Sequence, residues 1–227
     1  MKNKVELIDW YGGDKAIARA AWTSTQIDVD SKTDEQIRDL IVNKLWNNGS
    51  GKPHRSPFER GLVEFNVTAD QASHVHIIKH RHASVNGESA RYKELKEDKY
   101  YLPEDWRNIK ISDSGEALST AMDDWHERLE EYTIEGNRLY HACLKDLTPV
   151  LGRKRAKESA RFFKTYNSQI TLSVMMNMSC FENFVKLRKS PEAQLEIREI
   201  STTMLEQVAN IDGEPFKYTL EAWENDK

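Results

Sequence analysis

Residues 79–92, KHRHASVNGESARY, gather two arginines, a lysine, two histidines, two serines, an asparagine and a tyrosine against a single glutamate. A run this charged cannot be core, because ions are costly to desolvate without partners. The chemistry it suits is anion recognition. Arg81 and Arg91 carry planar forks that match phosphate oxygens and form charge-assisted bonds. Ser84, Asn86, Ser89 and the backbone amides around Gly87 add short-range donors, and a glycine lets the backbone approach a ligand or take a left-handed turn. Such a set fits the phosphate of a mononucleotide or dinucleotide. The alternative is a solvated basic turn with surface ion pairs to Glu88 and Glu94.

Other chemistries fit less well. His74, His76, His80 and His82 resemble a metal cluster, but only His76 and His80 would share a helix face, and no carboxylate or cysteine completes a set. No metal is expected. Neither serine lies in a GxSxG elbow, and neither Cys143 nor Cys180 has a reactive-looking context. No GxGxxG or P-loop pattern occurs, so a dinucleotide would bind outside the Rossmann plan. The net charge of −4 and the lack of interleaved basic and aromatic residues argue against nucleic acid. With 31% charged residues, two distant cysteines, no signal-like N-terminus and no apolar run of membrane-spanning length, the 227-residue chain reads as a cytoplasmic globular protein.

The elements that would hold these residues follow from periodicity. KVELIDW alternates as a strand and GG turns it. Asp14 can cap a helix over 14–22, and Ile37, Leu40, Ile41 and Leu45 mark a second over 33–46. Val63, Phe65 and Val67 alternate in a strand over 62–69. A helix over 70–82 then runs into the basic motif. A long amphipathic helix over 114–147 carries the stripe Leu118, Met122, Trp125, Leu129, Tyr132, Leu139, Cys143 and Leu147, read as core or subunit interface. A separate helix over 154–161, a strand over 166–176, and helices over 180–189 and 191–210 complete the pattern, the last starting at a favourable proline. The expectation is a helix-rich α+β single domain over residues 1–227 with an antiparallel sheet.

The basic stretch also resembles a family signature. His80-Arg81, seven residues and Ser89, continued by Arg91-Tyr92, is similar to the Arg-His-Arg, seven residues, Ser motif of the flavin-dependent thymidylate synthases. Other blocks agree in order: RAAWTS ending at Ser24, HRSPFER beside the family's His-Glu-Thr-Pro-Phe-Glu-His, Ala160-Arg161, NMSCFENFVKLR and AQLEIR. The resemblance implies a homotetramer with active sites where subunits meet. It implies FAD as cofactor, NADPH and methylenetetrahydrofolate as co-substrates, and reductive methylation of dUMP without a cysteine nucleophile.

Residue roles carried by the match are as follows. His76, Gly87, Ser89, Ala90, Arg91, Arg161 and Arg188 would hold dUMP, with Arg188 along the uracil edge. Ser24, Ser56, Glu59, Lys79, His80, Arg81, His82, Asn177 and Asn183 would form the FAD pocket. His54 would stand near the isoalloxazine and the folate path, making Arg188, Ser89 and His54 the catalytic set. For Ser24, Ser56 and Glu59 taken alone, turn and capping chemistry is the alternative; for Arg188, an ion pair with Glu192 or Glu196. Four positions depart from the family. Lys79 replaces the first signature arginine, His76 stands where many members have Gln or Glu, and Gly87 stands where Glu or Gln is frequent. After Arg161 the run FFKTY replaces Leu-Pro. Of these, His76 and Gly87 favour, as an alternative, methylation or hydroxymethylation of another pyrimidine nucleotide. A third reading is a nucleotide- or nucleic-acid-binding protein that keeps the scaffold without turnover.

Overall fold

The alternation of Val63, Phe65 and Val67 becomes a strand with one fully buried face, and a second strand answers it with buried Leu172, Val174 and Met176. The computed structural model describes residues 1–26, 28–107 and 125–224. Strands β1 (Lys4–Tyr11), β2 (Leu62–Asp70), β3 (Ser84–Gly87) and β4 (Gln169–Asn177) form one antiparallel sheet in the order β1-β2-β4-β3. The β2–β4 register is marked by Thr68 facing Thr171 (Oγ1 to Oγ1, 2.8 Å) and by Ser173 Oγ donating to Glu64 (3.0 Å). Helices α1 (Gly13–Trp22), α2 (Asp34–Arg38), α3 (Gln71–Ile78), α4 (Trp125–Ala160), α5 (Met178–Arg188), α6 (Leu195–Ala209) and α7 (Lys217–Glu224) make the chain helix-rich.

By contact the chain groups into two compact units, interleaved in sequence. One comprises Met1–Asn3, Thr68–Val75 and Gly87–Thr171; the other comprises Lys4–Val67, His76–Asn86 and Leu172–Lys227. In the second unit the core is aromatic. Phe65 meets Phe181 at 5.7 Å, and Trp46 meets Phe58 edge-on at 5.2 Å. Edge strand β1 is closed by Gln207 of α6, whose Oε1 accepts from Leu7 N (2.6 Å) while its Nε2 donates to Val5 O (2.9 Å). One side-chain amide thus stands in for a neighbouring strand and covers an exposed edge. In the first unit Tyr140, Leu144, Ala156 and Ala160 are buried together.

Local chemistry explains several differences from the sequence expectation. α1 starts one residue early, at the turn Gly12–Gly13, where both glycines have positive φ (95° and 78°) and a Cβ on Gly12 would lie 2.3 Å from Arg60 O. Asp14 therefore caps a different helix: its carboxylate accepts from Tyr218 N (2.7 Å), Thr219 N (3.1 Å) and Thr219 Oγ1 (2.6 Å), at the start of α7. The expected helix over 33–46 is α-helical only to Arg38, behind a Thr33–Gln36 capping box, and π-helical from Asp39 to Trp46. α6 begins at Leu195 rather than at Pro191.

The long helix brings part of the expected stripe, Cys143 and Leu147, against the buried cluster of Tyr140 and Leu144, and buries a neighbouring face as well. Thr133, Gly136, Asn137, Tyr140 and Leu144 face inward, while Trp125 and Tyr132 are 50% and 66% exposed; Leu118 and Met122 lie outside the described residues. At Gly136 this face is small because the 161–165 segment crosses directly over it. Gly152, at φ 75° and ψ 152°, breaks the helical path three residues after Pro149. The expected separate helix over 154–161 is the part beyond this break.

Candidate functional site

α3 stops at Ile78, four residues before the expected end, and the basic motif becomes a turn followed by a strand. His80 N donates to Ile77 O and Ala83 N to His80 O, both at 3.0 Å, after which β3 begins at Ser84. These turns present Lys79, His80, Arg81, His82 and Ala83 to one side of a cleft of about 650 Å³. α5 supplies the facing wall. Asn177 Oδ1 caps it by accepting from Cys180 N (2.9 Å), and helical spacing then brings Cys180, Asn183 and Leu187 onto the cleft, with Arg188 in the final turn.

Arg188 closes the cleft through His80. Its Nε donates to His80 Nε2 at 3.0 Å, and the imidazole stands edge-on to Phe184 at 4.9 Å. A guanidinium only donates, so His80 Nε2 is the acceptor and the ring proton sits on Nδ1. Burial, then the charge of Arg188, hold the His80 pKa below its ordinary value and favour this neutral form. The alternative ion pair of Arg188 with Glu192 or Glu196 is not formed.

Arg55 also lines the cleft, and nothing in its sequence context singles it out beyond its place in HRSPFER, where the family pattern has Glu. It pairs with buried Glu182 (2.6 Å), donates to Ser179 O (3.3 Å) and lies 5.3 Å over the Trp46 ring. With Lys79, Arg81 and Arg188 it makes four cations on one cleft. Beside them Cys180 remains a thiol, its pKa pushed up by burial and then by Glu59.

The other expected FAD residues stand outside the described lining of this cleft. Ser24 is exposed and donates to Ala21 O (3.1 Å), which is turn chemistry. Ser56 and Glu59 lie in the 3-10 turn Ser56–Arg60, and His54 is exposed with its amide on Leu45 O (2.8 Å). His76, one turn before His80, places Nε2 3.3 Å from Gln194 Oε1. His74 is buried on Ile170 O (3.1 Å). Among the described residues no group of three His, Cys, Asp or Glu could hold a metal ion.

Gly87, Ser89, Ala90, Arg91 and Arg161 belong to the first unit. Gly87 ends β3 and has no positive φ, so of the two uses open to a glycine here the left-handed turn is not taken. Ser89 organises the turn that follows: its carbonyl accepts from Tyr92 N and Lys93 N, and its Oγ from Arg91 N (3.3 Å). Arg91 pairs with Glu158 at 2.5 Å, and Glu88 is engaged by Lys93 and by Thr171 N. Arg161 is exposed at the start of the turn Arg161–Phe163.

The family described as "Thymidylate synthase complementing protein" matches residues 6–212. The chain belongs to this family, the flavin-dependent thymidylate synthases. A flavin-dependent thymidylate synthase of Thermosipho africanus is 30% identical over 225 residues, covering 98% of this chain and 91% of the relative. One from Thermus thermophilus is 30% identical over 208 residues, covering 91% and 72%. Among solved structures, the UMP/dUMP methylase PolB of Streptomyces cacaoi, bound with 5-Br dUMP, superposes with a TM-score of 0.72 at 26% identity, covering 98% of this chain and 95% of that one. As a member of the flavin-dependent thymidylate synthase family, the chain is a flavoprotein methyltransferase. Its cleft fits a flavin cofactor: Lys79, Arg81 and His82 suit a pyrophosphate, and Ala83, Met176 and Leu187 supply an apolar surface for a ring.

Proposed function

We propose that this enzyme methylates dUMP to dTMP reductively, with FAD as cofactor and methylenetetrahydrofolate and NADPH as co-substrates, acting as a cytoplasmic homotetramer. The observation that carries the reading is the Arg188–His80 contact at the mouth of a cation-lined cleft. When bound, the reduced flavin supplies the hydride. The chain's own residues do the rest. Arg81, Lys79, His82 and Asn183 hold the cofactor's anionic and polar groups. Arg188, aimed by His80, keeps guanidinium N–H groups for a uracil carbonyl, where a fixed cation stabilises charge that develops on the ring. In a tetramer whose active sites form where subunits meet, Ser89, Arg91 and Arg161 of one subunit or another take the nucleotide phosphate, with Glu158 releasing Arg91 to it. The protonated state of Cys180 supports chemistry without a thiolate nucleophile.

A second reading is methylation of another pyrimidine nucleotide. The UMP/dUMP naming of the Streptomyces cacaoi neighbour favours it, as do His76 and Gly87. No helix among the described residues is long and apolar enough to cross a membrane.

Tritium release from C5 of dUMP, UMP and dCMP tests both readings, with NADPH bleaching of the flavin absorbance as the first step. Release from dUMP with folate present is expected; release from UMP or dCMP alone transfers the assignment to that nucleotide. Arg188→Ala should abolish release while FAD stays bound. Retained turnover removes Arg188 from the uracil edge.

A further inference from the structure

His76 departs from its family in a way that the hydrogen bonds around it make legible. Its Nε2 lies 3.3 Å from Gln194 Oε1, and Gln194 Nε2 donates to Glu196 Oε2 at 2.8 Å. Glu196 is only 8% exposed, and Gln194 is fixed as the cap of α6, its carbonyl accepting from Arg198 N. A carboxylate accepts and does not donate, so it fixes the orientation of the Gln194 amide. The amide oxygen then faces His76, which must place its proton on Nε2. In the neutral ring Nδ1 is left as a bare acceptor, and it has no hydrogen-bond partner among the described residues. His76 and His80 therefore carry their protons on opposite nitrogens. The pair thus offers an acceptor at His76 and, one turn further along the chain, a donor at Arg188 through His80.

We propose that Glu196 and Gln194 are positioning residues that lock His76 as an acceptor, and that His76 Nδ1 reads the N3–H of a uracil nucleotide. Uracil alternates carbonyl and N–H along this edge, so Arg188 takes a carbonyl and His76 the adjacent N–H. The proposal rests on the uracil-nucleotide reading above. The relay itself, made wholly of this chain's residues, does not.

Two readouts on the FAD-loaded enzyme test it. In 15N-histidine-labelled protein, with His76 assigned by its loss in His76→Gln, the ring nitrogens should report an Nε2–H tautomer, and Glu196→Gln should convert this to a tautomer mixture. An Nδ1–H signal in the unmodified protein overturns the proposal. Titration with dUMP gives the second readout. Glu196→Gln and His76→Phe should each raise the dissociation constant about tenfold, the cost of leaving one ring N–H unpaired. His76→Gln, whose amide oxygen accepts, should recover much of the loss. FAD affinity and melting temperature should not move in step. Unchanged dUMP binding in His76→Phe overturns the recognition step even where the tautomer is right. If UMP reproduces this ranking and dUMP does not bind, the relay stands and only the sugar assignment falls. If no pyrimidine nucleotide binds any form, the recognition role falls.

Discussion

Arg55 shows how one residue can carry both stability and charge placement. Glu182 is 4% exposed and faces Arg55 at 2.6 Å, so the carboxylate stays buried only because this guanidinium stays with it. Removing one partner of a buried pair strands the other charge, which costs more than the pair itself contributes. Arg55→Ala should therefore lower unfolding free energy by about 3 kcal/mol in urea titrations. The double change Arg55→Met with Glu182→Met should restore most of that loss, since apolar replacement of a buried pair is often neutral. Equal losses in the single and double variants would mean that Arg55 acts through its packing on Trp46 instead. The sequence hid this residue for a physical reason. Arg81 and Arg188 stand in recognisable spacing, whereas the partner of Arg55 lies 127 positions away in sequence (182 − 55), on another helix.

At the scale of elements, strands β1, β2 and β4 and the helices α1, α5 and α6 were legible because each has an uninterrupted periodic pattern and a turn signal at its end. β3 was not, since Ser84–Gly87 carries a single apolar residue and exists by pairing with β4. α7 was missed because its N-terminus is capped from Asp14, far upstream. Part of the buried face of α4 escapes the apolar pattern because its contact rests on a small residue rather than a large one. At Gly136 a Cβ would lie 2.7 Å from Phe163 O and 3.1 Å from Thr165 Cγ2. Helix propensity alone favours alanine there by about 1 kcal/mol. The overlap is with a backbone oxygen, which cannot swing aside, and overpacking costs about 1–3 kcal/mol. The clash should win, so Gly136→Ala should lower the melting temperature. A rise would show that the 161–165 segment shifts at little cost.

At the scale of the whole molecule, the net charge of −4 hides groups whose titrations oppose one another. Asp39, Glu97, Glu104 and Glu135 are paired, mainly through side-chain hydrogen bonds, and their pKa values are lowered. What they contribute is present above the ordinary carboxylate range and is lost as pH falls through it. His74 and His80 also have lowered values, chiefly through burial, so their contribution is lost as pH falls below the ordinary histidine value. Asp14 runs the other way. Burial raises its pKa from 3.8 to about 6, against the lowering effect of its hydrogen bonds to Thr219 and Tyr218. A raised carboxyl favours the folded state fully below 3.8 and loses that advantage as pH rises through about 6. The shift corresponds to about 2 kcal/mol between pH 7.5 and 4.5. The melting curve of the unmodified protein sums all these groups, so its slope alone decides nothing. The difference between it and Asp14→Asn isolates the one term, because the other carboxylates and histidines are common to both. The stability of the unmodified protein relative to Asp14→Asn should climb as pH falls across that window, most steeply about midway between 3.8 and 6. A flat difference would mean that the three hydrogen bonds from α7 outweigh burial and keep Asp14 ionised throughout.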